Sequence, residues 1–218
     1  MESDYLEKHN KLMKRWSKRY LHKNNIFIQD GIIDISRWQK SKRKILILLK
    51  EAYGDIGDLC SLIRDEWEGP KYKLWWSTSY WLYALQKISA NSTPPFPTKQ
   101  EQFDECSEFL LSASVVNIKK SDGKSSSDTE DILEYAKKDK KLLEEQISLI
   151  NPEIILCGNT SEYFWQYWPD EIKQIGNTGY VFKTGNYIII DYWHPANQFP
   201  DVLCYYALCA IIQDANIF

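Results

Sequence analysis

The sequence predicts an α/β protein, a three-layer α/β/α sandwich around a central, mainly parallel four-stranded sheet. Three observations carry this expectation. Unbroken aliphatic runs at Ile45 to Leu49 and Ile188 to Ile190, as strands buried on both faces require, stand with two further hydrophobic strand segments, Ala113 to Ile118 and Ile154 to Cys157. Segments of helical period separate them, the pattern of a sheet with helices on both sides. Two of the runs pass straight into polar residues, Lys50-Glu51 and Asp191-Tyr192-Trp193-His194. The carboxyl ends of such strands form the ligand crevice of an open α/β sheet, so Glu51 and His194 are expected to face one another there.

Taken in order, residues 5 to 21 read as an exposed basic helix, and 23 to 44 as an irregular lead-in with short strand possibilities at 26 to 28 and 32 to 35. The first core strand, 45 to 49, is followed by helical patterns at 56 to 66, 74 to 88 and 99 to 111. Gly69-Pro70 and the proline-rich Ser92-Thr93-Pro94-Pro95-Phe96-Pro97 separate these patterns. The strand from 113 to 118 ends in a polar loop, Lys119 to Asp128. Ser127-Asp128-Thr129-Glu130 has capping-box spacing, with Ser127 as the cap of a long amphipathic helix that Asn151-Pro152 stops. The strand from 154 to 157 exits through Gly158-Asn159-Thr160 into another helix. Residues 179 to 191 read as a hairpin turning at Thr184-Gly185. A last helix, 201 to 213, is expected to pack Val202, Leu203, Leu208 and Ile211. One domain, 1–218, is expected, with 1–44 as an N-terminal helical and irregular extension.

Composition narrows the function classes. The 218 residues are 44% hydrophobic and 26% charged, which is ordinary globular composition. No stretch approaches the length of a membrane span, and the charged segment Met1 to Tyr20 lacks a signal-peptide core, so a cytoplasmic protein without membrane contact is expected. Five cysteines, Cys60, Cys106, Cys157, Cys204 and Cys209, form no Cys-x-x-Cys pair and are expected to be reduced and mostly buried. A net charge of −3 gives no global attraction to a polyanion, so nucleic-acid binding would need local basic patches. The candidates are Lys14, Arg15, Lys18, Arg19 and Lys23, then Lys42, Arg43 and Lys44, then Lys119, Lys120 and Lys124. Read alone, the first group is the solvated face of a helix, and His9 and His22 within that segment are expected to face solvent. Gly123-Lys124-Ser125 is not the end of a phosphate-binding P-loop, because Ile118 stands where that loop needs its first glycine.

Each candidate has a plain structural reading beside the chemical one. Glu51 at a strand end can be a carboxylate neutralised by Lys50 or Lys44, His194 before Pro195 a turn residue bonded to a backbone carbonyl, and Asn117 a strand terminator. Aromatic rings at helical spacing, such as Tyr72, Trp75, Trp76, Tyr80, Trp81 and Tyr83, more often build a core than a stacking platform.

Four blocks, in order, give these residues a joint meaning. Lys50-Glu51-Ala52-Tyr53-Gly54, Val115-Val116-Asn117 with Ile118-Lys119-Lys120, the segment from Glu144 to Gly158, and His194-Pro195-Ala196 together resemble the uracil-DNA glycosylase superfamily over Ile45 to Gln198. The first block is similar to the Gly-Glu-Ala-Pro-Gly motif of its thermophile-type branch, and the last to its His-Pro-Ser or His-Pro-Ala motif. Lys50 stands where that branch has glycine and Tyr53 where it has proline, and the paired cysteines of its iron–sulfur cluster are missing. No cluster, other metal or cofactor is therefore expected.

The resemblance implies a monomeric DNA glycosylase that flips uracil or another altered pyrimidine out of DNA and hydrolyses its N-glycosidic bond. It implies that His194 donates a hydrogen bond to the departing base, that Glu51 orients or deprotonates the attacking water, and that Asn117 reads the base edge. Tyr53, Trp75 or Trp76 would lie under the base, Tyr53 first among them. Lys119, Lys120 and Lys124 would meet the DNA backbone, and Phe199 would fill the gap left by the flipped base. Two alternatives stand beside this. One is a non-catalytic module that keeps the fold and binds a nucleic acid, nucleotide or protein; the other is an enzyme acting on a free nucleoside or nucleotide.

Overall fold

The computed structural model describes residues 2–23, 25–54, 56–65, 72–124, 126–165, 172–185 and 187–218. The chain is α/β. Its helices are α1 (Glu2–Trp16), α2 (Ile35–Lys40), α3 (Leu59–Asp65), α4 (Lys73–Lys87), α5 (Lys99–Phe103), α6 (Glu105–Leu111), α7 (Thr129–Ile150), α8 (Ser161–Trp165) and α9 (Asp201–Ala215). Its strands are β1 (Gly31–Ile32), β2 (Ile45–Leu49), β3 (Ser114–Asn117), β4 (Ile154–Gly158), β5 (Lys173–Ile175), β6 (Val181–Thr184) and β7 (Tyr187–Tyr192).

One seven-stranded mixed sheet runs in the order β1-β3-β2-β4-β7-β6-β5, larger than the four strands expected. The four expected hydrophobic strands are its centre: β3, β2, β4 and β7 pair in parallel, with Leu49 opposite Asn117, Leu48 opposite Cys157 and Cys157 opposite Asp191. Antiparallel strands extend it at both edges, β1 against β3 and the β5-β6 pair against β7. The β6-β7 hairpin, turning after Thr184, is the one expected over 179 to 191, whereas β5, with exposed, polar residues, and β1, two residues long and only touching the strand possibility at 32 to 35, show no aliphatic run.

The strand pleat assigns alternate residues to two cores. Ile45, Ile47, Leu49, Val115, Leu156 and Ile190 join Trp81, Leu82 and Leu85 of α4, Leu110 of α6 and Leu208 of α9 on one face. Leu46, Leu48, Val116, Ile155 and Ile189 join Leu12 and Trp16 of α1 and Ile132, Leu143 and Ile147 of α7 on the other. All five residues of β2 are buried, each contributing about 1.5–3 kcal/mol of apolar transfer energy.

Several local expectations are corrected. Asp128, not Ser127, caps α7, its carboxylate accepting from the amides of Glu130 and Asp131, while the complete capping box is Thr98 with Glu101 at α5. Asn151 ends α7 in the left-handed conformation, at φ 51°. Val202 and Leu203 are exposed on α9 rather than packed. Residues 1–44 are more than an extension, since β1 is an edge strand and α1 buries Leu12, Met13 and Trp16 against α7. His22 is buried, not solvent-facing: Nδ1 lies 2.6 Å from Ser121 Oγ and Nε2 2.9 Å from Asp139 Oδ2. His9 is half-buried and donates from Nε2 to the Asp30 carbonyl at 2.8 Å. All five cysteines are free and buried. Gly69-Pro70 and Ser125 lie outside the described residues. Among the described residues no helix is long and apolar enough to cross a membrane, and no group of three or more His, Cys, Asp or Glu side chains is placed to hold a metal.

Candidate active site

Parallel pairing places the carboxyl ends of β3, β2, β4 and β7 on one edge, and each runs into a short connection there. β4 separates the β2 end, with Lys50 and Glu51, from the β7 end, with Trp193 and His194. Two strand spacings set their backbones about 10 Å apart. Close packing ties the three connections together. Asn159, at φ 58°, donates its amide to Tyr192 O at 2.8 Å, and Thr160 Oγ1 donates to Leu48 O at 3.0 Å. A Cβ on Gly158 would come within 2.7 Å of Leu49 and 3.1 Å of Pro195, so this glycine lets the histidine turn approach the end of β2.

His194 is half-buried, and its Nδ1 accepts the Ala196 amide at 3.2 Å. That bond fixes the neutral tautomer with the proton on Nε2, which has no partner among the described residues. Burial, and then the nearby Lys50 ammonium, hold the imidazole below its ordinary value, so it is a neutral donor at pH 7. Lys50 Nζ also lies 5.5 Å over the Tyr163 ring. Trp193 and Phe199 flank the histidine as an exposed pair with ring centroids 4.8 Å apart. Lys73 of α4 holds this loop by donating to the carbonyls of Asn197 and, at 3.1 Å, Phe199.

Glu51 turns toward β3. Its Oε2 lies 3.0 Å from Lys119 Nζ, which also contacts Asp131 Oδ2 at 2.7 Å in the first turn of α7. Burial works against the Lys119 charge, but hydrogen bonds to Asp131 and Glu51 outweigh it and hold the ammonium above its ordinary value. The other oxygen of Glu51, Oε1, has no protein partner among the described residues. Gly123 packs directly on this carboxylate: a Cβ there would meet Glu51 Cδ at 2.5 Å.

The structure therefore corrects the role expected of Lys119 and Lys120. Lys119 is buried in its two ion pairs, and Lys120 is fully buried with Nζ 2.5 Å from Asp30 Oδ1, so neither reaches a phosphate. The physical reason is the sheet edge: both lysines follow β3 directly and turn into the space between β3, α1 and α7, where carboxylates compensate them. Lys120 also lies over the Trp16 ring at 4.9 Å. Lys124 is exposed.

Asn117 is buried, and its amide and Nδ2 both donate to Asp30 Oδ2, at 2.8 and 3.2 Å. One of the two Nδ2 hydrogens is thus engaged, and Oδ1 is buried without a partner. Trp76 is half-buried, stacked on Tyr80 at 5.8 Å and edge-on to Phe103 at 5.7 Å, and Trp75 packs on the same core. Both pack against the core on the α4 side of the sheet. Tyr53 instead keeps a ring 68% exposed on the strand-end edge, and its backbone bridges to Gly123.

The structure thus brings Glu51, Tyr53, His194 and Phe199 to one edge. Sequence reading missed Trp193, whose exposure depends on β7 ending at Tyr192, and the Asp30 hub, whose partners lie 87 to 116 residues away. A separate cleft of about 430 Å³ between α1, β1 and α3, lined by Tyr5, His9, Asp58 and Arg64, shares no residue with this edge. No known family model and no curated protein matches the chain.

Proposed function

We propose that the chain is a DNA glycosylase of the uracil-DNA glycosylase superfamily, hydrolysing the N-glycosidic bond of uracil or another altered pyrimidine. The observation that carries this reading is the juxtaposition, across β4, of a carboxylate after β2 with a neutral imidazole after β7 whose free nitrogen is a donor. Breaking that bond leaves the electron pair on the base and positive charge on the sugar. The Nε2–H of His194 would donate to the base carbonyl as negative charge develops there, with the Lys50 ammonium adding positive potential beside it. Glu51 would hold the attacking water through Oε1 and stabilise the sugar cation while Lys119 and Gly123 fix its other oxygen.

The remaining edge residues fit a flipped nucleotide. Tyr53 offers a ring for the extruded base, and Asn117 Oδ1, buried without a partner at the end of β3, would accept a base N–H once the residues covering it give way. Trp193 with Phe199 would fill the gap in the stack, and Lys124 would meet a phosphate. The test is a panel of oligonucleotides, single- and double-stranded, each carrying uracil or one modified base, scored for abasic sites by alkaline cleavage. Strand cleavage at one modified position supports the reading. DNA binding without cleavage on any member overturns it in favour of a non-catalytic binding module. The Glu51–Lys119 pair specifically favours that second reading, because it neutralises the carboxylate within the protein.

A further inference from the structure

The two basic stretches that lie 120 residues apart in the sequence become one surface in the fold. Arg15 of α1 pairs with Glu145 of α7, and Arg19 donates to Lys138 O at 2.7 Å and lies 2.6 Å from Asp139 Oδ1. These contacts bind the last turns of α1 side by side with the middle of α7. Segments 14–23 and 134–145 together carry nine Lys and Arg against four carboxylates, in a chain whose net charge is −3. The carboxylates are occupied: Glu145 by Arg15, Asp139 by Arg19, Glu134 by Lys138 and Glu144 by Lys140. Lys14, Lys18, Lys23, Lys137 and Lys141 are exposed without a carboxylate partner among the described residues. Tyr20 stands among them with 88% of its surface open.

We infer that this α1/α7 face is the surface on which the DNA backbone runs as it leaves the strand-end site; the identity of the polyanion rests on the glycosylase reading. Two features support the assignment. Unpaired cations four residues apart, Lys14 near the end of α1 with Lys18 in the turn after it and Lys137 with Lys141 on α7, can neutralise phosphates, and an exposed ring among them can lie on a sugar or base. The face is also continuous with the site. The segment after α1 pairs with the loop that packs on Glu51: Ile28 donates to Lys120 O at 2.6 Å, Asp122 to Ile26 O at 3.0 Å, and His22 reaches Ser121. Lys124 and Tyr53 lie at the end of that path. The phosphate contacts that the buried Lys119 and Lys120 cannot make are thus available on a surface built from other residues.

The experiment measures binding of a fluorescein-labelled duplex across a salt series by anisotropy. It compares wild type, the variant Lys14→Gln/Lys18→Gln/Lys137→Gln/Lys141→Gln, and a charge-matched control, Lys40→Gln/Lys42→Gln/Lys99→Gln/Lys183→Gln. The control lysines are exposed on other faces. The inference predicts at least about ten-fold weaker binding for the first variant and a salt slope shallower by about 2–4, with the control near wild type and all three melting alike. Equal losses in both variants, or none in either, would overturn the inference while leaving base release, and with it the glycosylase reading, intact. Patch-dependent binding with no base release would uphold the surface and overturn the glycosylase. A wild type that binds vesicles containing anionic lipid through these lysines but shows no salt-dependent affinity for DNA would also overturn the inference.

Discussion

Lys119 Nζ sits 3.0 Å from Oε2 of Glu51, with the two side chains 8% and 5% exposed. A lysine that the sequence offers to DNA is instead the internal counter-ion of the candidate catalytic carboxylate. Gly123 closes the same contact from the other side, and that arrangement predicts a separation of activity from stability. Gly123→Ala would place a methyl group within 2.7 Å of three Glu51 side-chain atoms, so the carboxylate must move while the sheet is untouched. Base release should fall at least about ten-fold, because misplacement of a reacting group by an ångström is costly. Far-UV circular dichroism should be unchanged. Wild-type kinetics in this variant would show that Glu51 is not held where the reaction needs it.

The Asp30–Lys120 pair gives a stability prediction. Both side chains are fully buried, and Asp30 also accepts from Asn117 and Gln146. Lys120→Met leaves the carboxylate without its cation and should cost about 3–5 kcal/mol in urea unfolding, whereas Asp30→Asn/Lys120→Met should recover part of that loss. A single variant within about 1 kcal/mol of wild type would mean that the pair is not charged in the folded chain.

The histidines give a pH dependence of definite sign. Burial first, and Lys50 second, lower the value of His194; burial lowers that of His9 against its bond to Asp30. Both therefore titrate below their unfolded value of 6.5. As pH falls through 6.5 the unfolded chain takes up protons that the native one refuses, so stability should decline from there until the native histidines also protonate. Proton NMR should place the His194 midpoint below 6.5 in wild type and nearer to it in Lys50→Met. An unchanged midpoint would remove Lys50 as the neighbour that depresses it.

Asn117 allows a test of how the base would be read. Nδ2 is anchored on Asp30 by one hydrogen while Oδ1 has no partner, so Asn117→Asp should retain an acceptor, with its second oxygen protonated against Asp30, while Asn117→Leu loses it. If the acceptor is used, the leucine variant should discriminate among the panel of bases more poorly than the aspartate variant. Equal discrimination by the two would exclude Asn117 from base contact.

The central strands were legible because burial on both faces leaves runs such as Ile45 to Leu49 with no polar residue to confuse the period. The edge strands were not, since a two-residue β1 and a polar β5 have no such signal. The placement of Glu51 and His194 on one edge of the sheet could be read because each follows the end of one of the central strands. The fate of Lys119 and Lys120 could not, because it depends on Asp131, Asp30 and the seating of α1 on α7, contacts between segments 12 to 90 residues apart. The same long-range docking buries His22 and joins the two basic stretches, neither of which is visible in a local window.

The account rests on Glu51 and His194 acting together, and single-turnover base release tests that most directly. On an oligonucleotide that the wild type processes, Glu51→Gln and His194→Ala should each slow release by about 10²-fold or more, the usual size of general-base and oxyanion-type contributions, with unchanged DNA affinity; His194→Ala should melt as wild type does, and Glu51→Gln somewhat lower because buried Lys119 loses one of its two counter-ions. Rates within a few-fold of wild type for either variant would contradict it.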